Sequence, residues 1–278
     1  MSVLCVLPAR LESRRLPRKP LREIRGRPLV EWSWRAARRV PAFDAVWVAT
    51  DSDEVAAAVR GVGGRAVLTD PDHASGTDRV AEAAERPEAR RYDVVVNWQA
   101  DEPFLPPGPA GRAARTVQEG EAGVATLACP LRSRRAWRSP SVVKVVRDRA
   151  GDALYFSRAP VPWPRDGEPA WPPDTGGAAP PSGEGDPSAG TGEDWPWLRH
   201  VGLYVFARDA LARWTELPPS PLEGVERLEQ LRALEAGLEI RVVVGPPVEP
   251  GVDEPEDLER AERIVREDNH RTWDEAHV

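Results

Sequence analysis

A group of positively charged side chains near the start of the chain has the composition of a polyanion-binding loop. The five cations all lie within residues 10–19 and are Arg10, Arg14, Arg15, Arg18 and Lys19. Because like charges repel one another, this spacing is most favourable when an anion such as a phosphate chain lies among them. The alternative is a solvated surface loop, which is how most blocks of like charge are found.

Lysine is rare in this chain, which makes its position in the loop informative. Of the 38 lysine and arginine residues, only Lys19 and Lys144 are lysine. A lysine ammonium is a compact point charge that can contact several phosphate oxygens, whereas the planar arginine group imposes a fixed geometry. The presence of Lys19 in an arginine-rich loop therefore favours a phosphate site.

Two aspartates are candidate ligands for a divalent cation. Asp101 follows an apolar strand-like run in the segment NWQADEP, and Asp253 lies between a glycine and a helix-starting proline in GVDEPEDLER. Mg²⁺ is commonly held by one or two carboxylates together with substrate phosphates. The structural alternatives are a turn cap for Asp101 or its neighbour Glu102, and a helix N-cap for Asp253.

Polar clusters elsewhere in the chain suit the binding of a sugar or a base. Ser75, Gly76 and Thr77 predict a turn whose small residues allow a ligand to approach the backbone closely. A predicted helix over 223–236 places acidic and amide side chains on or beside one face, and these are Glu223, Glu226, Glu229 and Gln230. By spacing alone, the favoured interpretation of this face is a solvated surface.

The elements that must position these side chains alternate along the chain. Apolar runs of strand length alternate with amphipathic segments of helical length, which predicts an α/β, doubly wound fold with a mostly parallel sheet. The predicted strands are 3–7, 45–50, 66–68, 93–97, 124–129, 142–146, 198–206 and 239–244. The predicted helices start at Pro28, Asp51, Asp78, Glu223 and Pro255, and a Pro-rich turn is expected over 105–111. We expect Pro8 to end the first strand, because proline has no N–H for the ladder.

Composition limits the organisation and the class of the protein. We predict one domain over residues 1–278, with a flexible Pro- and Gly-rich insertion at 164–197. The favoured interpretation of its three tryptophans is that they pack at its base, and the alternative is a binding site for a partner. The net charge of −7 argues against general nucleic-acid binding, and we expect no membrane span or signal peptide and a cytoplasmic protein. Cys5 and Cys129 are predicted to be buried free thiols, and the histidines lack the spacing of a zinc site.

Ten segments in order resemble one enzyme family. They are LPAR, RLPRKPL, ATDSDEV, HASGTDR, QADEPF, VVKVV, YFSRAPVPW, RHVGLY, PSPLE with LEQLR, and VDEPEDLER. Together they resemble the 3-deoxy-manno-octulosonate (Kdo) cytidylyltransferases, also called CMP-Kdo synthetases, over the span from Val3 to Arg260. These enzymes couple CTP to the anomeric hydroxyl of an eight-carbon 2-keto acid sugar and release pyrophosphate.

The resemblance implies a fold, a set of site residues and partners. The implied fold is the nucleotide-diphospho-sugar transferase type of sheet with a small additional lobe, and the implied assembly is a homodimer that uses Mg²⁺ and belongs to lipopolysaccharide biosynthesis. The implied catalytic residues are Arg10, Lys19, Asp101 and Asp253, the two aspartates being the metal ligands. The implied nucleotide-binding residues are Pro8, Ala9, Arg10, Arg15, Lys19, Ser75, Gly76 and Thr77. The implied sugar-acid contacts are Gln99, Arg158, His200, Tyr204, Glu226, Glu229 and Gln230.

Two departures from the family pattern leave the acceptor open. The family usually has glycine where Ala100 stands and histidine where Gly224 stands, and the insertion is longer than the family leads us to expect. The alternatives are therefore the same chemistry on another sugar acid in a secondary-metabolite pathway, or a non-catalytic protein that binds a sugar nucleotide. A kinase is disfavoured because the chain has no Gly-rich loop ending in Gly-Lys-Ser or Gly-Lys-Thr.

Overall fold

The computed structural model describes residues 1–13, 15–167, 171 and 195–267. Arg14 and most of the predicted insertion at 164–197 therefore lie outside the described residues. Among the residues described, no helix combines the length and the apolar character needed to cross a bilayer.

A nine-stranded mixed sheet forms the centre of the described structure. Its path runs in the order β11-β7-β10-β6-β1-β4-β5, with β8 pairing β10 and β9 pairing β8. Strand β10 is antiparallel to both of its path neighbours, whereas β6, β1, β4 and β5 are mutually parallel. The strands of this sheet are β1 (Val3–Ala9), β4 (Ala45–Thr50), β5 (Arg65–Leu68), β6 (Val94–Trp98), β7 (Val124–Pro130), β8 (Lys144–Arg147), β9 (Ala153–Ser157), β10 (Leu198–Ala207) and β11 (Arg241–Val244). A separate hairpin pairs β2 (Glu23–Ile24) with β3 (Arg27–Pro28).

Helices cover the sheet, as the predicted α/β pattern requires. They are α1 (Leu29–Arg38), α2 (Asp53–Gly61), α3 (Gly76–Ala84), α4 (Pro107–Gln118), α5 (Arg134–Arg138), α6 (Arg208–Glu216), α7 (Pro221–Glu226), α8 (Gln230–Glu235) and α9 (Pro255–Glu267), with short 3₁₀ helices at Lys19–Leu21 and Pro87–Ala89. Every residue of β6 and β7 is buried, as expected for strands covered on both faces. The core divides into two large apolar clusters and a smaller one beside α9.

The first strand is longer than predicted, and the reason lies in its pairing. β1 continues through Pro8 to Ala9, so the expectation that Pro8 would end it was wrong. The pairing of β1 with β6 ends at the Val6–Asn97 pair, before Pro8, whereas its pairing with β4 continues to Ala9. The missing N–H of Pro8 therefore costs no ladder bond on the β6 side.

The starts of two predicted helices also differ from the structure. The Ser52 side chain, rather than Asp51, caps α2 by accepting a hydrogen bond from the Val55 amide. Ser75 caps α3 in a reciprocal capping box with Asp78, so Gly76 and Thr77 form the first helical turn instead of an open turn. In both cases a serine hydroxyl satisfies an amide that has no partner within the helix.

Two further predictions about helices were wrong. The Pro-rich segment expected as a turn contains the start of α4, because prolines are tolerated where first-turn amides have no intrahelical partner. The predicted helix over 223–236 is two helices, α7 and α8, separated where Arg227 adopts a left-handed conformation with φ of 55°. This break removes the common face predicted for the acidic residues of this segment.

The tryptophans beside the insertion form one aromatic cluster. Trp171, Trp195 and Trp197 contact one another with ring centroids 5.2–6.3 Å apart. Trp171 also lies 5.8 Å from the ring of Trp137, which in turn stacks on Trp163 at 5.4 Å. This arrangement agrees with the prediction that these rings pack at the base of the insertion, and Cys5 and Cys129 are buried free thiols as predicted.

Candidate active site

The parallel pairing of β1 and β6 brings two predicted segments to one edge of the sheet. The loop after β1 carries the cations, and the loop after β6 carries Asp101. Between them lies a cleft of about 270 Å³. The predicted site residues that line it are Pro8, Ala9, Arg10, Lys19, Ser75, Gly76, Gln99 and Asp101. The position agrees with the rule that ligands of such folds bind outside the carboxyl ends of the strands.

Lys19 joins the two predicted metal ligands. Its Nζ donates to Asp101 Oδ2 at 2.5 Å and to Asp253 Oδ1 at 2.9 Å. Burial acts to lower the pKa of Lys19, but the two carboxylates outweigh burial, so the pKa is raised and the ammonium stays charged. Asp101 and Asp253, which lie 82 and 234 positions from Lys19 in the sequence, thus contact the same ammonium group.

A backbone contact holds the two aspartate loops together. The Val252 amide donates to the Asp101 carbonyl at 2.8 Å. At Gly251, an added Cβ would lie 2.9 Å from that same carbonyl oxygen, so only glycine fits without movement. The Asp253 amide donates to Asp257 Oδ2 in the first turn of α9, which anchors the loop from the other side. The Asp253 carboxylate is thereby directed to Lys19 and to Arg15, whose Nη2 lies 3.0 Å away.

A second cavity of about 290 Å³ adjoins the first. Asp101 lines both cavities, and Asp253, Arg15 and His200 also line the second one. The structure therefore places Arg15 with the aspartates, not among the residues that line the first cleft. The carboxylates and Lys19 lie between two compartments, each large enough for a small molecule.

Sequence reasoning missed a buried carboxyl group and a neighbouring arginine in this second cavity. Glu102 and Arg199 both line it. Burial raises the pKa of Glu102 to about 7, against the opposing effect of the Arg199 cation. Arg199 also donates to the carbonyl of Val248 at 2.7 Å, in the loop that leads to Asp253. The sequence signal for Glu102 is its position beside Asp101, which predicts no more than a turn cap.

A second missed contact supports the cationic loop. Asp51 Oδ1 accepts from the Leu11 amide at 3.0 Å, and Asp51 Oδ2 lies 3.3 Å from Arg79 Nη2. Arg79 is almost completely buried and lines the first cleft. The available signals are the segments TDSDEV, which predicts a helix start, and SGTDR, which predicts a turn followed by a helix, and neither pattern predicts this contact.

The predicted sugar-acid residues fall into separate groups. Glu226 ends α7, where it accepts from the Ser157 hydroxyl at 2.6 Å and the Arg158 amide at 2.9 Å. The Arg158 guanidinium donates to the Glu226 carbonyl at 2.7 Å, so these two residues are mutually bound. Gln99 lines the first cleft and His200 the second.

A buried group forms beside α3 and α8. Glu229 accepts from Trp214 Nε1 at 2.8 Å and from the Thr77 hydroxyl at 3.2 Å, and burial raises its pKa. Thr77 is thus directed to Glu229 and does not line the first cleft. Gln230 is buried at the start of α8, and Tyr204 is buried with its ring 5.3 Å from His200.

His200 is held as a neutral imidazole. The Thr126 hydroxyl donates its one proton to the Leu203 carbonyl at 2.7 Å, so it accepts from His200 Nε2 at 2.9 Å. Burial and the neighbouring Arg199 cation lower the pKa of His200 to about 3. Its one N–H is already bound to Thr126, so Nδ1 can only accept a hydrogen bond, and the side chain is not a general acid near neutral pH.

The fold and the two-compartment site define an α/β nucleotidyltransferase. The chain matches the family model described as cytidylyltransferase over residues 4–240. It is 42% identical to the 3-deoxy-manno-octulosonate cytidylyltransferase of Syntrophobacter fumaroxidans, over 96% of this chain and 98% of that one. It is 44% identical to the protein of the same name from Alkalilimnicola ehrlichii, over 94% and 95% of the two chains.

Solved structures agree with these sequence matches. A structure described as CMP:2-keto-3-deoxy-manno-octonic acid synthetase complexed with CTP is 36% identical, has a TM-score of 0.81, and is matched over 96% of this chain and all of its own. A putative glucose-1-phosphate thymidylyltransferase from Bacillus anthracis, at 12% identity and a TM-score of 0.61, shares the fold. The chain belongs to the 3-deoxy-manno-octulosonate cytidylyltransferase family.

Proposed function

We propose that this enzyme couples CTP to 3-deoxy-manno-octulosonate, giving the CMP-sugar and pyrophosphate. The proposal rests on one observation: Lys19, Asp101 and Asp253 lie together between two adjoining cavities. One cavity has the small residues and cations suited to a nucleotide. The relative of known structure was solved with CTP, which supports the assignment of the first cleft to that substrate.

The reaction is an in-line displacement at the α-phosphorus. The anomeric oxygen of the sugar forms the new bond to the α-phosphorus, the bond from that phosphorus to the oxygen bridging the α- and β-phosphates breaks, and the proton of the anomeric hydroxyl leaves to solvent or to pyrophosphate. Negative charge grows on the leaving oxygens, so positioned cations supply most of the assistance. Arg10 and Lys19 line the cleft where the triphosphate would bind, and no covalent intermediate is required.

The two aspartates fit a divalent cation. Both carboxylates lie within hydrogen-bond distance of one ammonium nitrogen, so they already converge on a single positive charge. Oxygen donors of this kind, completed by phosphate oxygens and water, are what Mg²⁺ prefers. We propose that Asp101 and Asp253 hold Mg²⁺, which when bound would polarise the α-phosphate. Lys19 then contacts the phosphates instead of both carboxylates.

Measurement of pyrophosphate release tests the activity. We expect release from CTP and 3-deoxy-manno-octulosonate with Mg²⁺, and none when the Mg²⁺ is chelated. Titration calorimetry of CTP with Mg²⁺ should show binding that is lost in the Asp101→Ala, Asp253→Ala double variant. Unchanged turnover in this double variant would exclude the two aspartates as metal ligands.

The glycine at position 224 supports a second candidate for the sugar-acid substrate. An added Cβ at Gly224 would meet no atom within 4 Å, so the space that the family's usual histidine would occupy is open. Val225 beside it is 81% exposed. Shorter or amino-substituted 2-keto-3-deoxy acids are therefore the second candidates. A panel of such acids, compared by kcat/KM, decides between them; CTP binding without turnover of any acid would indicate a non-catalytic nucleotide-binding protein.

We also propose a cytoplasmic homodimer that acts in lipopolysaccharide biosynthesis. These properties are expected from the family resemblance. Light scattering coupled to gel filtration measures the assembly, and cell fractionation measures the location. A monomer under assay conditions would contradict the first proposal, and recovery in the membrane fraction would contradict the second.

A further inference from the structure

A chain of four side-chain hydrogen bonds crosses the protein beneath the first cleft. Trp214 Nε1 donates to Glu229 Oε1 at 2.8 Å, and the Thr77 hydroxyl donates to Glu229 Oε2 at 3.2 Å. Asn97 Nδ2 donates to the Thr77 oxygen at 3.2 Å. Gln99 Nε2 then donates to Asn97 Oδ1 at 3.0 Å, which brings the chain to a residue that lines the cleft.

The direction of these bonds is fixed from one end. In its ionised form Glu229 can only accept, and the Thr77 hydroxyl must then donate its single proton to it. The Thr77 oxygen must then accept from Asn97, which turns the Asn97 amide nitrogen toward Thr77 and its oxygen toward Gln99. Gln99 is left with one choice, which is to present its amide nitrogen to Asn97.

The packing around Gln99 limits its other freedom. An added Cβ at Gly202 would lie 3.0 Å from Gln99 Cγ, and one at Gly76 would lie 3.6 Å from Gln99 Nε2. The two glycines thus form close walls for the side chain. Once the aliphatic part of the side chain is confined, the amide of Gln99 can still adopt two orientations that exchange its oxygen and its nitrogen. The hydrogen bond to Asn97 selects one of them.

We infer that Asn97 is a positioning residue that transmits the hydrogen-bond polarity of Glu229 to Gln99 and so fixes the orientation of the Gln99 amide in the cleft. Asn97 is fully buried in the central strand β6 and cannot touch a substrate. In this inference its effect on catalysis passes through Gln99. The inference rests on the proposed cytidylyltransferase activity, because that activity supplies its readout.

A double-mutant cycle between Asn97 and Gln99 is the test. We expect Asn97→Leu, which keeps the branched side-chain skeleton but removes both hydrogen bonds, to lower kcat/KM for the sugar acid about tenfold when Gln99 is present. In a Gln99→Ala background the same change should alter kcat/KM by less than about twofold. Equal losses in both backgrounds would overturn the inference, because they would mean that Asn97 acts through the fold alone.

A second pair of variants keeps the test decisive if Asn97→Leu does not fold. Thr77→Val breaks the chain between Asn97 and Glu229 at nearly constant volume, and Thr77→Ser keeps the hydroxyl. We expect Thr77→Val to reproduce the loss, again only when Gln99 is present, and Thr77→Ser to remain within about twofold of wild type. Loss in both Thr77 variants, or loss in the Gln99→Ala background, contradicts the inference. Failure of the proposed activity is seen separately, as absence of turnover in the wild type.

Discussion

The positive charge of one side chain, Lys19, lies between the two cavities and is central to the proposed activity. Lys19 contributes a cation to two carboxylates that would otherwise repel each other. The same ammonium lines the proposed nucleotide cleft, so it has two alternative groups of anionic partners. A lysine suits this position better than an arginine because a point charge can move between oxygens on a flexible stem.

We expect Lys19→Gln to lower kcat/KM for pyrophosphate release by about 100-fold or more, since a positioned cation on the phosphates is removed. The comparison variant is Arg149→Gln, which makes the same change of charge at an exposed position outside both cavities. Arg149→Gln should retain wild-type kinetics. Retention of activity in Lys19→Gln would contradict the proposed role of the Lys19 ammonium in catalysis.

At the scale of secondary structure, the site depends on how two loops meet. The loop after β6 and the loop before α9 are joined by the Val252–Asp101 backbone bond, and Gly251 allows that approach. The spacing of Asp101 and Asp253 is thus set by backbone contact, not by the side chains themselves.

Gly251→Ala tests this dependence on loop contact. Its Cβ would collide with the Asp101 carbonyl, so we expect the loops to separate and kcat/KM to fall by about tenfold or more. Gly108→Ala in α4 is the matched control, because its Cβ meets nothing within 4 Å. The control should keep full activity, and equal activity in the two variants would contradict the proposed role of Gly251.

Lys144, the second lysine of the chain, connects two segments beside strands β8 and β9. Lys144 in β8 is fully buried, and its Nζ donates to the carbonyls of Ser139, Val142 and Arg158 at 2.6–2.9 Å. Burial lowers the pKa of Lys144 to about 8, so the ammonium that three acceptors require is still the main form at pH 7. Lys144 thereby ties the segment before β8 to the residue after β9.

We expect Lys144→Met to lower the free energy of unfolding by about 2–4 kcal/mol, because three partly buried carbonyls lose their donor. Urea unfolding at pH 7 measures the change. Arg149→Met, at an exposed position, should stay within about 0.5 kcal/mol of wild type. A loss below 1 kcal/mol in Lys144→Met would show that these carbonyls find other partners.

For the whole molecule, the insertion of antiparallel β10 into the sheet has the largest consequence. β10 lies between β6 and β7 and carries Arg199, His200 and Tyr204 from a distant part of the chain to the centre of the sheet. Tyr204 is buried there, and Arg199 and His200 are largely shielded from solvent, so their charge states contribute to the stability of the fold.

His200 should make that stability depend on pH. Its pKa is lowered to about 3 in the folded protein, whereas the unfolded chain has the ordinary value near 6.5, so the unfolded state takes up a proton first as the pH falls. The contribution of neutral His200 is complete above pH 6.5 and is lost as the pH decreases from there toward 3. Between pH 7 and pH 4.5 we expect wild type to lose about 2 kcal/mol more than His200→Gln does. Urea unfolding of both proteins at the two pH values measures this difference, and parallel losses would contradict the assignment.

Local patterns in the sequence were sufficient for many elements of this fold. Strand β4 was predicted over its observed range, and β6 and β10 within one residue at each end, because apolar runs bounded by polar residues are a local signal. The cations and Asp101 could be placed at one sheet edge, since parallel strands share their carboxyl ends. The helix break at Arg227 was not predictable, because Arg158 and Ser157, which contact Glu226 there, lie about seventy positions away.

The amino-acid sequence by itself determined the α/β class, the family and the identity of the charged residues, because these follow from local periodicity and ordered motifs. Only the tertiary structure decided which of those residues meet. Lys19 reaches Asp253 across 234 positions, and Asn97, Glu102 and Arg199 gain their roles from buried partners. Such contacts depend on the order of distant strands in the sheet. No short segment of the sequence determines that order, because it results from the packing of the whole chain.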